Sequence, residues 1–157
     1  MIVIFQCYGG AHSSVIAAWL YVGKLSRSGA PLTEELLALP YYDRTDKREM
    51  GKPHYIGTDR FGNPVLALGS GKWGKEIREI LSSLIALFPG TQCPVAVIDC
   101  LPCINTTTRV GGCFSRYLGI TAIGRPLVNR GIRCNYFRLL RLVESFEKSP
   151  GLYLLKP

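Results

Sequence analysis

A layered α/β domain is the fold class this sequence predicts, and three observations predict it. Short β-branched runs alternate with stretches whose apolar residues recur at helical spacing. No apolar run approaches the length of a membrane span. A chain of 157 residues suits one domain with a sizeable core. The order of elements predicts a three-layer, Rossmann-like domain over residues 1–157, with a largely parallel sheet and an antiparallel hairpin at its edge.

Met1 to Phe5 is a nearly continuous apolar run and reads as a buried strand. Val15 to Val22 places Val15, Trp19 and Val22 on one face, with Ile16 and Leu20 beside them, as an amphipathic helix does. The eight residues CYGGAHSS between are therefore a strand-to-helix turn. Gly9 and Gly10 permit positive φ there, and Ser13 or Ser14 is a natural N-cap. SRSGAPLTEELLALP predicts a loop and a short helix, capped by Thr33 and stopped by Pro40. YYDRTDKREMGKP is the most polar segment and predicts a mobile loop able to act as a flap. HYIGTDRFGNPVLALGS reads as two strands joined through Asp59 to Asn63.

From Lys72 to Phe88, the residues Trp73, Ile77, Ile80, Leu81, Leu84 and Phe88 form a helical stripe, ended by Pro89 and Gly90. PVAVIDCLPCI is an apolar strand closing on Asp99. TAIGRPLVNRGI reads as a weaker strand with Pro126 at its edge. The last helix, Asn135 to Lys148, is expected to bury Tyr136, Leu139, Leu140 and Val143 and to turn Arg138, Arg141 and Ser145 outward. Trp19 and Trp73, on apolar helical faces, are expected in the core. The sequence carries no internal repeat, low-complexity tract or linker.

Nineteen Lys and Arg against eleven Asp and Glu give a net charge of +8, and its distribution is uneven. No acid lies between Asp99 and Glu144, a stretch that holds Arg109, Arg116, Arg125, Arg130, Arg133, Arg138 and Arg141 and no lysine. The first 33 residues also lack acids. Such a distribution suits an anionic partner, since arginine binds phosphate and carboxylate through paired N–H groups. A solvated basic surface is the plainer reading of any single arginine. The start lacks the basic region and long apolar stretch of a secretory signal, which predicts a cytoplasmic protein away from membranes. In that reducing setting the six cysteines are expected as free thiols.

The turn CYGGAHSS lies at the end of a strand and the start of a helix, where ligands of α/β sheets bind. Backbone amides of Gly9, Gly10, Ala11 and His12 are expected to cradle a phosphate, with Ser13 and Ser14 adding hydroxyls. His12 is also a candidate cation or acid near neutral pH, or a histidine bonded to the turn.

Two chemistries fit this loop. In one, Cys7 is a nucleophile activated by helix-end amides. CYGGAHSS resembles the cysteine phosphate loop of low-molecular-weight tyrosine phosphatases and that of the cysteine-phosphorylated sugar-transport subunits. Ser13 stands where the phosphatase loop has arginine, whereas the hydroxyls of the transport-subunit loop are kept. In the other, the loop is a degenerate nucleotide P-loop in which Ser13 and Asp99 hold Mg²⁺ and water attacks. There His12 replaces the lysine, and Ala11 and Gln6 replace glycines. Asp99 is equally suited to capping the turn that follows it.

CYGGAHSSVIAA, LPYYD, YIGTDRFGNPV, GGCFSR and GRPLVNRGI together resemble a bacterial domain-of-unknown-function family numbered three-one-eight-nine. The resemblance spans nearly the whole chain and implies that the loop, the Asp59 to Asn63 turn, Ser115-Arg116 and Gly124-Arg125 belong to the family pattern. It implies no activity. Gly111 and Gly112 with Ser115 and Arg116 are read as a second anion-binding turn, and Arg125 as a further phosphate contact. Cys100 and Cys103 have redox or zinc spacing, but nothing completes a zinc site.

The expected function is binding of a phosphorylated small molecule, a nucleotide first, with phosphoryl transfer or hydrolysis carried by Cys7, or by Asp99 with Mg²⁺, and with His12. The alternatives are an arginine-rich nucleic-acid-binding module, with Tyr117, Tyr136 and Phe137 stacking on bases, and a non-catalytic sensor using the same loop.

Overall fold

In a computed structural model the chain is a mixed α/β structure, described here for residues 1–44, 47–88, 93–105 and 121–156, the side chains of 47 and 121–125 apart. Its elements are β1 (Ile2–Cys7), α1 (Ser13–Tyr21), α2 (Thr33–Ala38), β2 (Pro53–Thr58), β3 (Pro64–Gly69), α3 (Gly74–Leu87), β4 (Val95–Asp99) and α4 (Thr121–Lys148). The open four-stranded sheet has the order β2-β3-β1-β4. β1 runs parallel to both β3 and β4, and β2 pairs antiparallel with β3 as an edge hairpin. At the other edge Ala96 of β4 bridges to Leu154, and Leu155 N–H donates to the Val95 carbonyl at 2.8 Å.

The alternation of side chains along β1 divides the apolar residues between two faces. Val3 and Phe5 join Val15, Ile16 and Leu20 of α1 and Tyr136, Leu139 and Val143 of α4 in the main core, to which α2 adds Leu36. Ile4 joins Leu68 and Val97 in a smaller cluster, against which Ile77 and Leu81 of α3 pack. α3 thus presents only part of its apolar stripe to the sheet. None of its residues is buried, and Ile80, Leu84 and Phe88 are exposed, as is Trp73, which corrects the expectation that Trp73 lies in the core. Trp19 is half-buried, with its indole N–H 3.5 Å from the Pro40 carbonyl.

The segment 121–132 corrects a second expectation, because it is helix rather than strand. Val128, Ile132, Tyr136, Leu139, Leu140, Val143 and Phe146 are all buried, a single 3.6-residue stripe that continues through the segment. Pro126 lies inside the helix, where it removes the N–H that would bond the carbonyl four residues earlier. The outward placement of Arg138, Arg141 and Ser145 is as the sequence implies. Among the described residues no helix is long and apolar enough to cross a membrane.

Asp59 fastens the hairpin to α1. Its carboxylate accepts the backbone N–H groups of Phe61 and Asn63, the Asn63 amide and the Tyr21 hydroxyl, each at 2.9 Å. Burial alone favours the protonated acid, but the bonds from Asn63, Tyr21 and Phe61 outweigh it and hold Asp59 below the usual carboxylate range. A depressed folded-state pKa means stabilisation that is present above the unfolded value of about 3.9 and is lost as pH falls through the folded value. Asp59→Asn is expected to cost about 2 kcal/mol at neutral pH, because four donors then face a single acceptor oxygen. Urea unfolding should show the gap to the natural chain narrowing below about pH 4. A gap that is absent at neutral pH, or unchanged in acid, would contradict this role.

Candidate functional site

β1 and β3 are neighbouring parallel strands whose following helices lie against different faces of the sheet, α1 on the main core and α3 on the smaller cluster. Their carboxyl ends therefore open where the connections diverge, the usual position of a ligand site in such sheets. Residues 8–12 leave β1 at this point.

Two backbone loops interlock here. Gly10 has φ +65°, and a Cβ on it would stand 2.5 Å from the Gly69 nitrogen; a Cβ on Gly69 would stand 2.8 Å from the Gly9 carbonyl carbon. Only glycine at both positions allows this approach. The β3 loop then donates back, with Ser70 N–H to the Cys7 carbonyl at 2.9 Å, Ser70 Oγ to the same oxygen at 3.1 Å and Gly71 N–H to the Tyr8 carbonyl at 2.8 Å. The carbonyls at the start of the loop are thereby occupied.

The amides further along are not. α1 is nine residues long and its N-cap is His12, which makes no side-chain cap, so neither Ser13 nor Ser14 takes the expected N-cap position. Ser14 Oγ lies 3.1 Å from Cys7 Sγ instead, and the sulfur also accepts Gly10 N–H at 3.2 Å. The first intrahelical bond starts at Ile16. The backbone N–H groups of Ala11, Ser13, Ser14 and Val15 have no acceptor among the described residues. These residues are at most 1 % exposed, and buried amides without acceptors are rare in native proteins.

Beside the loop, His12 Nε2 lies 3.1 Å from Asp43 Oδ1. Asp43 N–H also donates to the Ala11 carbonyl at 3.0 Å. The next link is Tyr42, whose ring meets His12 edge-on at 5.6 Å and whose hydroxyl donates to Asn129 Oδ1 of α4 at 2.9 Å. Burial and the Asp43 charge keep the Tyr42 phenol well above its ordinary pKa, so it stays a donor. Tyr41 and Asp43 both have positive φ, 65° and 51°, a backbone strain that concentrates at functional sites. The expectation of a mobile flap is thus corrected for its first residues, since Tyr42 is fully buried and Asp43 is bonded to the loop. Thr45 and Asp46 lie outside the described residues.

The other sequence candidates divide. Asp99 is exposed, and its Oδ1 accepts Leu101 N–H at 2.9 Å, capping the turn Leu101–Cys103. No bond joins it to Ser13. Burial raises the pKa of Cys100 and Cys103, whose thiols lie 3.9 Å from the Ile98 carbonyl and 3.7 Å from the Arg138 carbonyl. All five described cysteines are free. Arg116, with Gly111, Gly112 and Ser115, lies outside the described residues, and so does the side chain of Arg125. Arg130, Arg133, Arg138 and Arg141 are exposed along one helix over about 16 Å of its axis. The sequence reading missed Asp43, Tyr42, Ser70 and Asn129. It also missed Gln6, whose buried Oε1 is without a hydrogen-bond partner among the described residues.

If the glycine contact sets the loop, Gly10→Ala should destabilise the fold by more than about 2 kcal/mol through strained φ and backbone overlap together. Chemical denaturation reads this directly, and a change within about 0.5 kcal/mol would contradict the contact.

No curated protein and no solved structure matches the chain. A family model matches residues 2–148, and on that coverage the chain belongs to DUF3189, a family of proteins of unknown function.

Proposed function

We propose that the protein binds a phosphorylated small molecule, a nucleotide in the first instance, at residues 7–14, and that Cys7 is the group that reacts. The observation that carries this reading is the set of buried amides at Ala11, Ser13, Ser14 and Val15 without acceptors, at the positive end of α1. Phosphate oxygens supply the missing acceptors. In this reading the domain is a three-layer, Rossmann-like one with its ligand at the crevice between β1 and β3.

Cys7 is favoured over Asp99 because Cys7 Sγ is bonded within the loop itself, to Gly10 N–H and Ser14 Oγ, whereas the Asp99 carboxylate caps a turn. The thiolate attacks phosphorus, and the S–P bond forms as the bond from phosphorus to the leaving oxygen breaks. That oxygen takes a proton from an acid or from water. Water then attacks phosphorus, the S–P bond breaks and inorganic phosphate leaves. His12 is oriented for charge stabilisation or proton transfer by Asp43, with Tyr42 and Asn129 bracing the ring.

Thermal unfolding against nucleotides, sugar phosphates and inorganic phosphate, with and without Mg²⁺, tests the binding step. At about 100 Kd a cognate ligand is expected to raise Tm by roughly 5 °C or more. The shift should shrink but persist in a Ser13→Ala, Ser14→Ala double variant that remains folded, because the two hydroxyls are lost while the four amides stay. Cys7→Ser should abolish both turnover and a phosphoryl adduct detected by mass spectrometry. The absence of a shift with every phosphate compound would overturn the binding reading. Turnover that survives Cys7→Ser and is abolished by EDTA would replace the thiol route with the Mg²⁺ route. Strongly salt-dependent RNA or DNA binding indifferent to the loop would favour the nucleic-acid reading.

A further inference from the structure

Cys7 and Cys100 end neighbouring strands at the same level. Gln6 of β1 is in register with Asp99 of β4, and the N–H of Cys100, one residue on, donates to the Gln6 carbonyl at 2.8 Å. The next pair across the two strands is therefore Cys7 and Cys100. Residues side by side on parallel strands project to the same face of a sheet, and both cysteines belong to the main core. Neighbouring strands stand about 4.8 Å apart, within the roughly 4.4–6.8 Å that separates the Cα atoms of a disulfide.

The two thiols differ in their surroundings. Cys7 Sγ faces the loop, where Gly10 N–H lies at 3.2 Å and Ser14 Oγ at 3.1 Å. Cys100 is fully buried behind it, and its only hydrogen bond among the described residues is a long contact of 3.9 Å to the Ile98 carbonyl, so little holds its sulfur in place. Burial first, and then the nearby Cys7, push the Cys100 thiol well above its ordinary pKa, so it stays protonated. Cys103, the other thiol close to Cys100, lies beyond the ladder on the turn Leu101–Cys103, with its sulfur 3.7 Å from the Arg138 carbonyl of α4.

We infer that Cys7 and Cys100 are a peroxide-reactive dithiol site, in which Cys7 is oxidised first and Cys100 closes a reversible disulfide between β1 and β4. The Cys7 sulfur attacks one oxygen of hydrogen peroxide, the S–O bond forms as the O–O bond breaks, and the other oxygen leaves with the thiol proton as water. The Cys100 sulfur then attacks the Cys7 sulfur, the S–S bond forms as the S–O bond breaks, and the departing hydroxide takes the Cys100 proton as a second water. Two thiols thus give up two electrons and two protons to one peroxide. The site stands whether or not the loop binds phosphate. Where Cys7 is the nucleophile proposed above, the disulfide withdraws it.

Peptide mapping by mass spectrometry without reduction, after treatment with hydrogen peroxide, tests the site. A Cys93→Ser, Cys134→Ser background removes two exposed thiols. This chain should lose two free thiols and yield a peptide pair linked through Cys7 and Cys100, both reversed by dithiothreitol. Adding Cys103→Ala should leave the link intact. Adding Cys100→Ala should abolish it and let Cys7 proceed to sulfinic or sulfonic acid. A disulfide that uses Cys103 or Cys113 in place of Cys7 or Cys100 would overturn the assignment. So would overoxidation of Cys7 beside a free Cys100 thiol, or a Cys7 that peroxide leaves untouched. The Cys103→Ala chain decides the pairing even if Cys100→Ala fails to fold, which circular dichroism reveals. No phosphate compound enters the experiment, so this site and the phosphate loop fail separately.

Discussion

The contact between Gly10 and Gly69 sets how the end of β1 meets the end of β3. Each glycine stands where a Cβ would overlap the other loop's backbone. The closeness of the two chains lets Ser70 and Gly71 reach the carbonyls of Cys7 and Tyr8. Once those carbonyls are held, the chain enters α1 with its amides unmatched, and Cys7 sulfur falls within reach of Gly10 N–H and Ser14 Oγ. Two residues without side chains thus determine where the reactive-atom candidates lie, although they supply no chemistry of their own.

The segment after α2 is shaped by the same loop. Tyr41 and Asp43 accept unfavourable backbone angles, each costing on the order of 1 to 3 kcal/mol, in a conformation that places Asp43 against His12 and against the Ala11 carbonyl. Tyr42, between them, is buried and anchored to Asn129 on α4. The loop is therefore braced from β3 on one side and from α2 and α4 on the other. That rigidity agrees with a site preorganised for an anion, in which dipoles are fixed before the ligand arrives.

Much of this architecture was legible in the sequence. The strand-turn-helix at CYGGAHSS, the hairpin turning through Asp59 to Asn63, the strand ending at Asp99 and the buried stripe of the final helix all follow from local periodicity and turn chemistry. What was not legible depends on distant partners. Gly69 sits in an ordinary strand ending, and nothing local reveals that it faces Gly10. Asp43 lies in the most polar stretch of the chain, so composition suggests a loose loop, whereas its bonds to His12 and Ala11 come from packing. Gly124, Pro126 and the β-branched residues around them imitate a strand until Val128 and Ile132 are seen to continue the stripe of Tyr136. The apolar spacing of α3 dictates a helix, but periodicity does not say how much of a stripe the sheet covers. Its outer residues remain exposed.

The central claim is that the start of α1 is an anion site. Titrating inorganic phosphate into ¹⁵N-labelled protein and following amide resonances tests it most directly. Saturable shifts concentrated at Ala11, Ser13, Ser14 and Val15, persisting when ionic strength is held constant with chloride, are the predicted result. Shifts that leave these four amides unmoved and spread along the exposed arginines of α4, or no saturable shift at all, would contradict it and reduce the loop to a structural turn.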